Sequence, residues 1–582
     1  MRFGIFYELQ LPRPWQQDSE EKVVREALEQ VELADRLGFD YLWEVEHHFL
    51  EEYSHSGAPE IFLAAASQRT KRMRLGHGIV QLPPAFNHPA RVAERIATLD
   101  LVSGGRVEFG TGQGSSQMEL GGFGVERESK DLQWEEMLDV IVRMMTEEPF
   151  SGFEGRFLSM PPRNVVPKPK QKPHPPLWVA CSRRETILQA ARKGIGALSF
   201  SFVEPEQAKA WVDDYYALIQ SSECVPAGLT VNPNVAVFVP MLCHENEQTA
   251  IDRGIDGGHF FGFSLAYYYV FGKHRPGVSN IWEYFLEHRK DLGFARELIN
   301  PDSKPLGIKL LEQGLGSFRG AVGTPAQLTG LLERYERAGV DIVVFAVQTG
   351  HTRHDHICES LELFARSVMP PFAERAPAHD AEKKTRLARA TEQALARRRS
   401  VAAHKDTFAG RAEYVVTPQG EPGPVGALRV FPGANGQAGR EAAQGAAARA
   451  GKAMLAWIVR GRSDRQLDRI MPVLAPMIFR GMQRAFRPER AFGFSGDIGY
   501  RLSTNGTSRD WVIHIDGGKA TVKPGAAATP RISLKMSGPT FARLSAGLIE
   551  PITAVLEGKL EAEGELRLMN RISEMFGGPS GY

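Results

Sequence analysis

Histidine beside glutamate at the end of an apolar run is a pairing that can move protons. Gly38-Phe-Asp-Tyr-Leu-Trp-Glu-Val-Glu-His-His-Phe49 ends in that way. An imidazole titrates near neutral pH, so His47 or His48 can serve as base or hydrogen-bond donor, with Glu46 to orient a ring. A second group lies at Ser182-Arg183-Arg184, after the apolar run Leu177–Ala180. A hydroxyl, two guanidinium groups and helix N-terminal N–H groups suit an anion such as phosphate. A third is the glycine-rich Gly110-Thr-Gly-Gln-Gly114, which follows a strand and lets a backbone approach a planar ring or a phosphate. His351-Thr-Arg-His-Asp-His356 has ligand types for a metal but no spacing of a closed site, so no metal is expected.

These groups need elements to hold them. From Met1 to about Pro371 short apolar runs alternate with helical patterns. The strand readings are Arg2–Tyr7, Tyr41–Val45, Leu75–Leu82, Val107–Gly110, Leu177–Ala180, Ala197–Phe200, Asn234–Val239 and Asp341–Ala346. Helices are placed between them, among them Glu20–Leu37, Arg91–Leu101, Trp134–Met145, Glu206–Ile219 and Pro325–Ala338. Repeated β-then-α units predict a parallel sheet, and at this length a closed (β/α)8 TIM barrel, with an open doubly wound sheet as the alternative. The catalytic mouth would be at the C-terminal ends of the strands, where Glu46 and His47 fall. The aromatic run Phe260–Phe271 reads as core or as an apolar substrate wall.

The residues 376–451 read as a linker, partly disordered: a charged run, Glu382–Arg399, which could be a solvated helix, then Gly/Pro-rich sequence. From 452 to 582 a compact pattern returns, with helices from Met454 and over Leu467–Phe486. The strands Gly499–Ser503, Trp511–Ile515 and Ile532–Met536 follow, then helices over Pro539–Leu548 and from Ser573. Three parts result: a barrel over 1–375, the linker, and a small α+β domain over 452–582.

Composition narrows the function. The chain has 582 residues, a formal net charge of +1, 42% hydrophobic and 24% charged residues, so no global field draws it to nucleic acid. The four cysteines form no C-x-x-C pair and read as free thiols in a reducing compartment. With no leader and no apolar run of about 18 residues, the reading is cytoplasmic with no membrane span.

Several segments together resemble the bacterial luciferase family of flavin monooxygenases. They are the Glu46-His-His-Phe49 segment, Leu75-Gly-His-Gly-Ile-Val-Gln-Leu-Pro-Pro84, His88–Glu94, Thr98–Gly114, Pro175–Ser182, Val322-Gly-Thr-Pro325 and Leu361–Pro370. The resemblance implies reduced FMN and O2 as co-substrate, an apolar substrate (long-chain aldehyde, ketone, terpenoid or steroid), a separate NAD(P)H:flavin reductase and a homodimer. It assigns His47 as catalytic base, and Glu46, Gly78, Ile79, Gly112, Gln113, Ser182, Arg183 and Arg184 to the cofactor. Gly78-Ile79 falls where the family has a non-proline cis peptide. Gln113 and Gly112 stand where the luciferases have an arginine and a reactive cysteine, which shifts phosphate binding to Arg183 and Arg184. A deazaflavin-dependent oxidoreductase on the same fold, or a lipid-transfer protein with an inactive barrel, are the alternatives.

Gly496–Leu502, Trp511–Ala520, Pro530–Ser537, Thr540-Phe541 and Gly558–Leu566 look like the sterol carrier protein type-2 family. That resemblance implies a lipid tunnel. Met471, Met477, Met482, Phe541 and Leu544 are its candidate lipid contacts, with Leu474, Ile478, Leu548 and Met569 beside them.

Overall fold

The structure is a computed structural model. It describes residues 1–199, 205–290, 294, 320–402, 455, 458–459, 461–486, 494–504, 506–516, 518–546, 548–549, 554, 558–564, 572 and 575–576. The chain divides into two compact units, 1–430 and 431–582.

In the first unit eight parallel strands close a barrel. They are β1 (Arg2–Tyr7), β2 (Tyr41–Glu44), β3 (Arg74–His77), β4 (Val107–Gly112), β5 (Leu177–Cys181), β6 (Gly196–Ser199), β7 (Val235–Cys243) and β8 (Ile342–Ala346). β1 pairs with β2 on one side and β8 on the other. Ala236 of β7 pairs with both Leu198 and Ile342, which closes the ring. The open-sheet alternative is thereby excluded.

Side-chain alternation explains why short, wholly apolar runs form these strands. Phe3, Ile5, Val107, Phe109, Val235, Val237, Val343 and Phe345 pack outward under the helices. Phe6, Trp43, Trp178, Leu198, Phe238, Ile342 and Val344 point into the lumen. Both faces are buried, so hydrophobicity is continuous along each strand. Two indoles fill the lumen, Trp43 against Trp178 at 5.3 Å. They fit because the facing positions are glycines. A Cβ at Gly76 or Gly196 would come within 2.2 Å of the Trp43 or Trp178 ring.

The helices follow the strands as expected. α1 (Ser19–Leu37) stops at Gly38, whose φ of +102° suits glycine. Next come α2 (Pro59–Arg69), α3 (Pro89–Val102), the short α4 (Gln117–Gly122), α5 (Lys130–Thr146), α6 (Arg184–Arg192), α7 (Pro205–Ile219), α8 (Glu247–Ala266), α9 (Ile281–His288), α10 (Pro325–Arg337) and α11 (His354–Ser367).

The stretch read as the start of a linker behaves otherwise. α12 runs unbroken over Met369–Ala402 and buries Leu387 and Ala394 against the barrel core. Four of its charged residues have partners in the barrel. Asp380 accepts from Arg2 (2.7 Å), Lys383 reaches Asp341 (2.7 Å), Arg397 donates to Cys224 O (2.9 Å) and Arg398 pairs with Asp139 (2.7 Å). Arg2 and Asp341 mark the N-terminal ends of β1 and β8, so α12 clasps the end of the barrel opposite the mouth. The remainder of the expected linker, 403–451, lies outside the described residues.

The second unit is an α+β fold. α13 (Asp464–Ala485) and α14 (Gly538–Ser545) accompany a five-stranded sheet of β9 (Gly496–Thr504), β10 (Thr507–Asp516), β11 (Lys519–Pro524), β12 (Ile532–Ser537) and β13 (Leu560–Gly564). The order is β11-β10-β9-β12-β13, antiparallel except for β9 beside β12. β11 and β13 are additions to the strands read from sequence. Phe479 centres the core, with Trp511, Phe541 and Tyr500 rings at 4.7, 4.8 and 5.3 Å. The helices read from Met454 and from Ser573 fall mostly or wholly outside the described residues. Among the described residues no helix is long and apolar enough to cross a membrane.

Candidate active site

β1 and β2 deliver their next residues to the same rim. Glu8 follows Tyr7, and Val45-Glu46-His47-His48 follow Glu44. The His47 backbone N–H donates to Ser56 O (3.0 Å), which fixes the loop. Phe49 holds φ at +66°, a strained conformation for a bulky residue, and packs its ring on Phe123 at 5.4 Å. From across the rim α4, capped by Ser116, presents the fully buried Glu119. Its Oε1 lies 3.0 Å from His47 Nδ1 and accepts from the His48 backbone N–H (3.0 Å) and from Gln81 Nε2 (2.9 Å). On the other side Glu8 Oε2 stands 3.9 Å from His47 Nε2, while Tyr53 Oη donates to Glu8 Oε1 (2.8 Å).

Charge decides what this imidazole is. Burial favours the neutral ring, but Glu119 and Glu8 outweigh it and push His47 up to about 9. Glu8 moves up to about 7, raised by burial and restrained by His47. Glu44, buried below, is pushed well up by desolvation, with Ser56 Oγ donating to it. Glu8 Oε2 and Glu119 Oε2 are buried without a hydrogen bond among the described residues. The two carboxylates thus favour the imidazolium form of His47, which suits the hydrogen-bond donor of the two roles expected for it.

Glu46, expected at the cofactor, spends its carboxylate inside the protein. It accepts from Gln81 N (2.8 Å), Asn87 Nδ2 (2.7 Å) and His48 Nε2 (3.1 Å). It sets the loop that carries His47. The Gly78-Ile79 bond is trans: among the described residues the cis bonds all precede prolines. Gly112 is explained by packing, since a Cβ there would meet Ile79 Cδ1 at 2.2 Å. Gln113 follows Gly112 at the same rim.

The anion group divides. Ser182, Arg183 and Arg184 are all exposed. Arg184 is engaged by Asp214, with Nε 2.9 Å from Oδ2. Arg183, at the N-cap of α6, faces a partner that sequence reading missed. Lys130 Nζ donates to Gly114 O (2.7 Å) and Arg127 donates to Ser115 O (3.1 Å). Burial lowers Lys130 to about 8; Asp131 opposes this, while Arg127 and Arg183 add to it. Two cations thus reach the Gly114 and Ser115 carbonyls, with Arg183 near enough to Lys130 to act on it, a charge set that suits a phosphate monoester. Arg127 and Lys130 sit in Glu126-Arg-Glu-Ser-Lys130, a run that reads as solvated surface; only its distance from Gly114 marks it.

α8 continues into a π-helical turn, Tyr267–Phe271, that sets the aromatic run over the rim. The Tyr269 ring stands 6.4 Å from His47, and Phe261 lies 5.8 Å from Tyr53. Two histidines of the His351–His356 run have protein partners. His351 packs on Trp282 (4.6 Å) and His354 meets Gln30 (3.0 Å) and Glu29 (3.3 Å).

In the second unit Met471 and Phe541 are buried within the aromatic core. Met482 and Leu544 are partly buried beside it. Met477 is 50% exposed, because α13 buries Leu467, Met471, Leu474, Ile478 and Phe479 and so turns position 477 outward. Leu474 and Ile478 are core, Leu548 packs at its edge, and Met569 lies outside the described residues. A cleft of about 520 Å³ opens between Pro476, Trp511 and Pro524.

Comparisons with known proteins extend the geometry. A family model described as luciferase-like monooxygenase matches residues 1–342, and one described as SCP-2 sterol transfer family matches residues 485–577. The oxygenase component of the flavin-dependent trigonelline monooxygenase of Acinetobacter baylyi is 30% identical over 380 residues, 64% of this chain and 96% of that one. The chain spans about half the length of an uncharacterized protein of Sinorhizobium fredii, 33% identical over 194 residues, which are 33% of this chain and 54% of that one. The crystal structure of monooxygenase RslO1 from Streptomyces bottropensis superposes with a TM-score of 0.50 at 24% identity. It covers 64% of this chain and 100% of that one, and shows the shared fold.

Proposed function

This chain belongs to the luciferase-like monooxygenase family, and we propose that it uses reduced FMN and O2 to oxygenate an apolar substrate at the barrel mouth. One observation carries the reading: the imidazole of His47 is held at the rim between two carboxylates, 3.0 Å from Glu119 and 3.9 Å from Glu8. Bound reduced flavin supplies the activation of oxygen. The residues of the chain supply the rest. His47 donates from Nε2 toward negative charge that develops at the mouth. Glu119 fixes the ring through Nδ1, as a second partner does for a catalytic histidine. Glu8, balanced near neutrality, takes up or returns the proton on the Nε2 side. Tyr53, Phe261 and the lumen indoles exclude water. Lys130, Arg127 and Arg183 would hold the cofactor phosphate, with Ser182 at the N-terminus of α6 beside them.

The trigonelline enzyme is named an oxygenase component, which supports a separate reductase for this chain too. The second unit, matching a sterol transfer family, would hold or deliver the substrate and raise its concentration near the barrel. Titration of the full chain with reduced FMN and with the deazaflavin F420 tests the cofactor. FMN quenching with a dissociation constant in the micromolar range and no F420 binding is expected. Preference for F420 would replace oxygenation with hydride transfer, and binding of neither would leave an inactive barrel.

A further inference from the structure

Tyr267–Phe271 is the one π-helical turn among the described residues, and it crosses the mouth. Such turns are uncommon and occur mostly where function needs a side chain re-aimed. Two of its tyrosines anchor it. Tyr267 Oη donates to Lys273 O (2.8 Å), and the Gly272 N–H closes the turn on Tyr267 O (2.8 Å). Tyr268 packs on His274 (5.2 Å), whose Nε2 meets Glu51 (3.1 Å). The third tyrosine is what these anchors aim. Tyr269 stands edge-on to His47 at 6.4 Å, facing Glu119 and Glu8, and α4 packs beneath the turn. Among the described residues its Oη has no hydrogen-bond partner.

A phenol placed there, on the open side of the imidazolium, has no structural task that phenylalanine would not do as well. Burial, with Glu119 and Glu8 nearby, pushes it far up, so it stays a donor at any working pH. Tyr269 packs against the apolar cluster that holds Tyr53 and Phe261, with the Tyr53 hydroxyl spent on Glu8. A ligand bound against this part of the rim would meet the aromatic cluster and two donors, His47 and Tyr269, backed by Glu119 and Glu8.

We propose that Tyr269 is the substrate-selecting group of this site: its hydroxyl donates to an oxygen on an otherwise apolar substrate and sets which end faces His47. The claim rests on the monooxygenase reading and names the chemistry of its substrate, an apolar molecule carrying a carbonyl or hydroxyl. A site built to hydrogen-bond such an oxygen rejects an analogue that lacks it.

The test uses a matched pair of probes, cyclooctanone and cyclooctene, titrated calorimetrically into the full chain and into its Tyr269→Phe variant, each with FMN titrated in parallel. The wild type is expected to bind the ketone more tightly than the alkene. Tyr269→Phe is expected to weaken the ketone about three- to ten-fold, the size of one lost hydrogen bond, while alkene and FMN affinities hold. Equal ketone affinity in the two proteins overturns the proposal. So does a variant that loses ketone, alkene and FMN together, since Tyr269 would then be a prop for the turn. FMN binding by neither protein, with the ketone difference intact, sinks the monooxygenase reading and leaves the role of Tyr269 standing.

Discussion

His47 is set by its neighbours more than by its own type. The imidazolium persists because Glu119 and Glu8 raise its pKa to about 9 against the effect of burial. The sign follows: a raised histidine is charged below the shifted value and loses its proton as pH rises through it. Activity that needs the donor is expected to hold through neutral pH and fall above about 9. Glu119→Gln removes the leading raising charge, so the falling limb in a kcat/KM profile should move toward neutrality. A limb unmoved by that change would show that Glu119 does not govern the ring. His47→Gln keeps most of the volume and loses the charge; it is expected to lower kcat by roughly a hundred-fold or more with FMN affinity retained. Lys130 belongs to the same scale. Lys130→Met should cost FMN at least about ten-fold in affinity and leave riboflavin, which has no phosphate, unchanged. Equal losses for both flavins would place the lysine away from the phosphate.

Elements differ in how plainly the sequence announces them. The eight strands are legible because each is short, apolar on both faces and followed by a helix, and the Glu-His-His-Phe segment can be placed at a strand end. Glu119 is not, for it lies 72 residues from His47 on a short helix in glycine- and serine-rich sequence, with no periodicity to follow. Arg127 and Lys130 are hidden in a charged run of ordinary surface type. α12 shows the same blindness from the other direction. Its Ala/Arg-rich composition reads as solvated, yet Arg398, Lys383 and Arg397 are spent on Asp139, Asp341 and the Cys224 carbonyl, and Met369, Phe372, Leu387 and Ala394 enter the core. Leu387→Ala should therefore destabilise the barrel unit by ~2–3 kcal/mol, seen as a lower midpoint in urea. An unchanged midpoint would mean that α12 is an appendage. In the second unit, Met477 reads as a lining residue because methionine suits lipid; the helical phase of its neighbours sends it outward instead.

At the scale of the whole molecule, two folds with separate cores share one chain. The barrel is the part equipped for the chemistry, and the proposed task of the second unit is to manage an apolar cargo. Truncation after residue 402 keeps α12 and is expected to leave FMN affinity intact while raising the KM for a poorly soluble substrate. A KM that does not move would give the second unit another task. The chemistry proposed for the barrel depends on the state of one ring at the mouth. The direct measurement is long-range proton–nitrogen correlation NMR on the full chain labelled with 15N-histidine, with the His47 signals assigned by their absence in His47→Gln. Both ring nitrogens of His47 are expected to be protonated at pH 7.5 and to titrate near 9. A neutral ring at that pH, titrating near the ordinary histidine value of about 6.5 or below, would contradict the proposed donor.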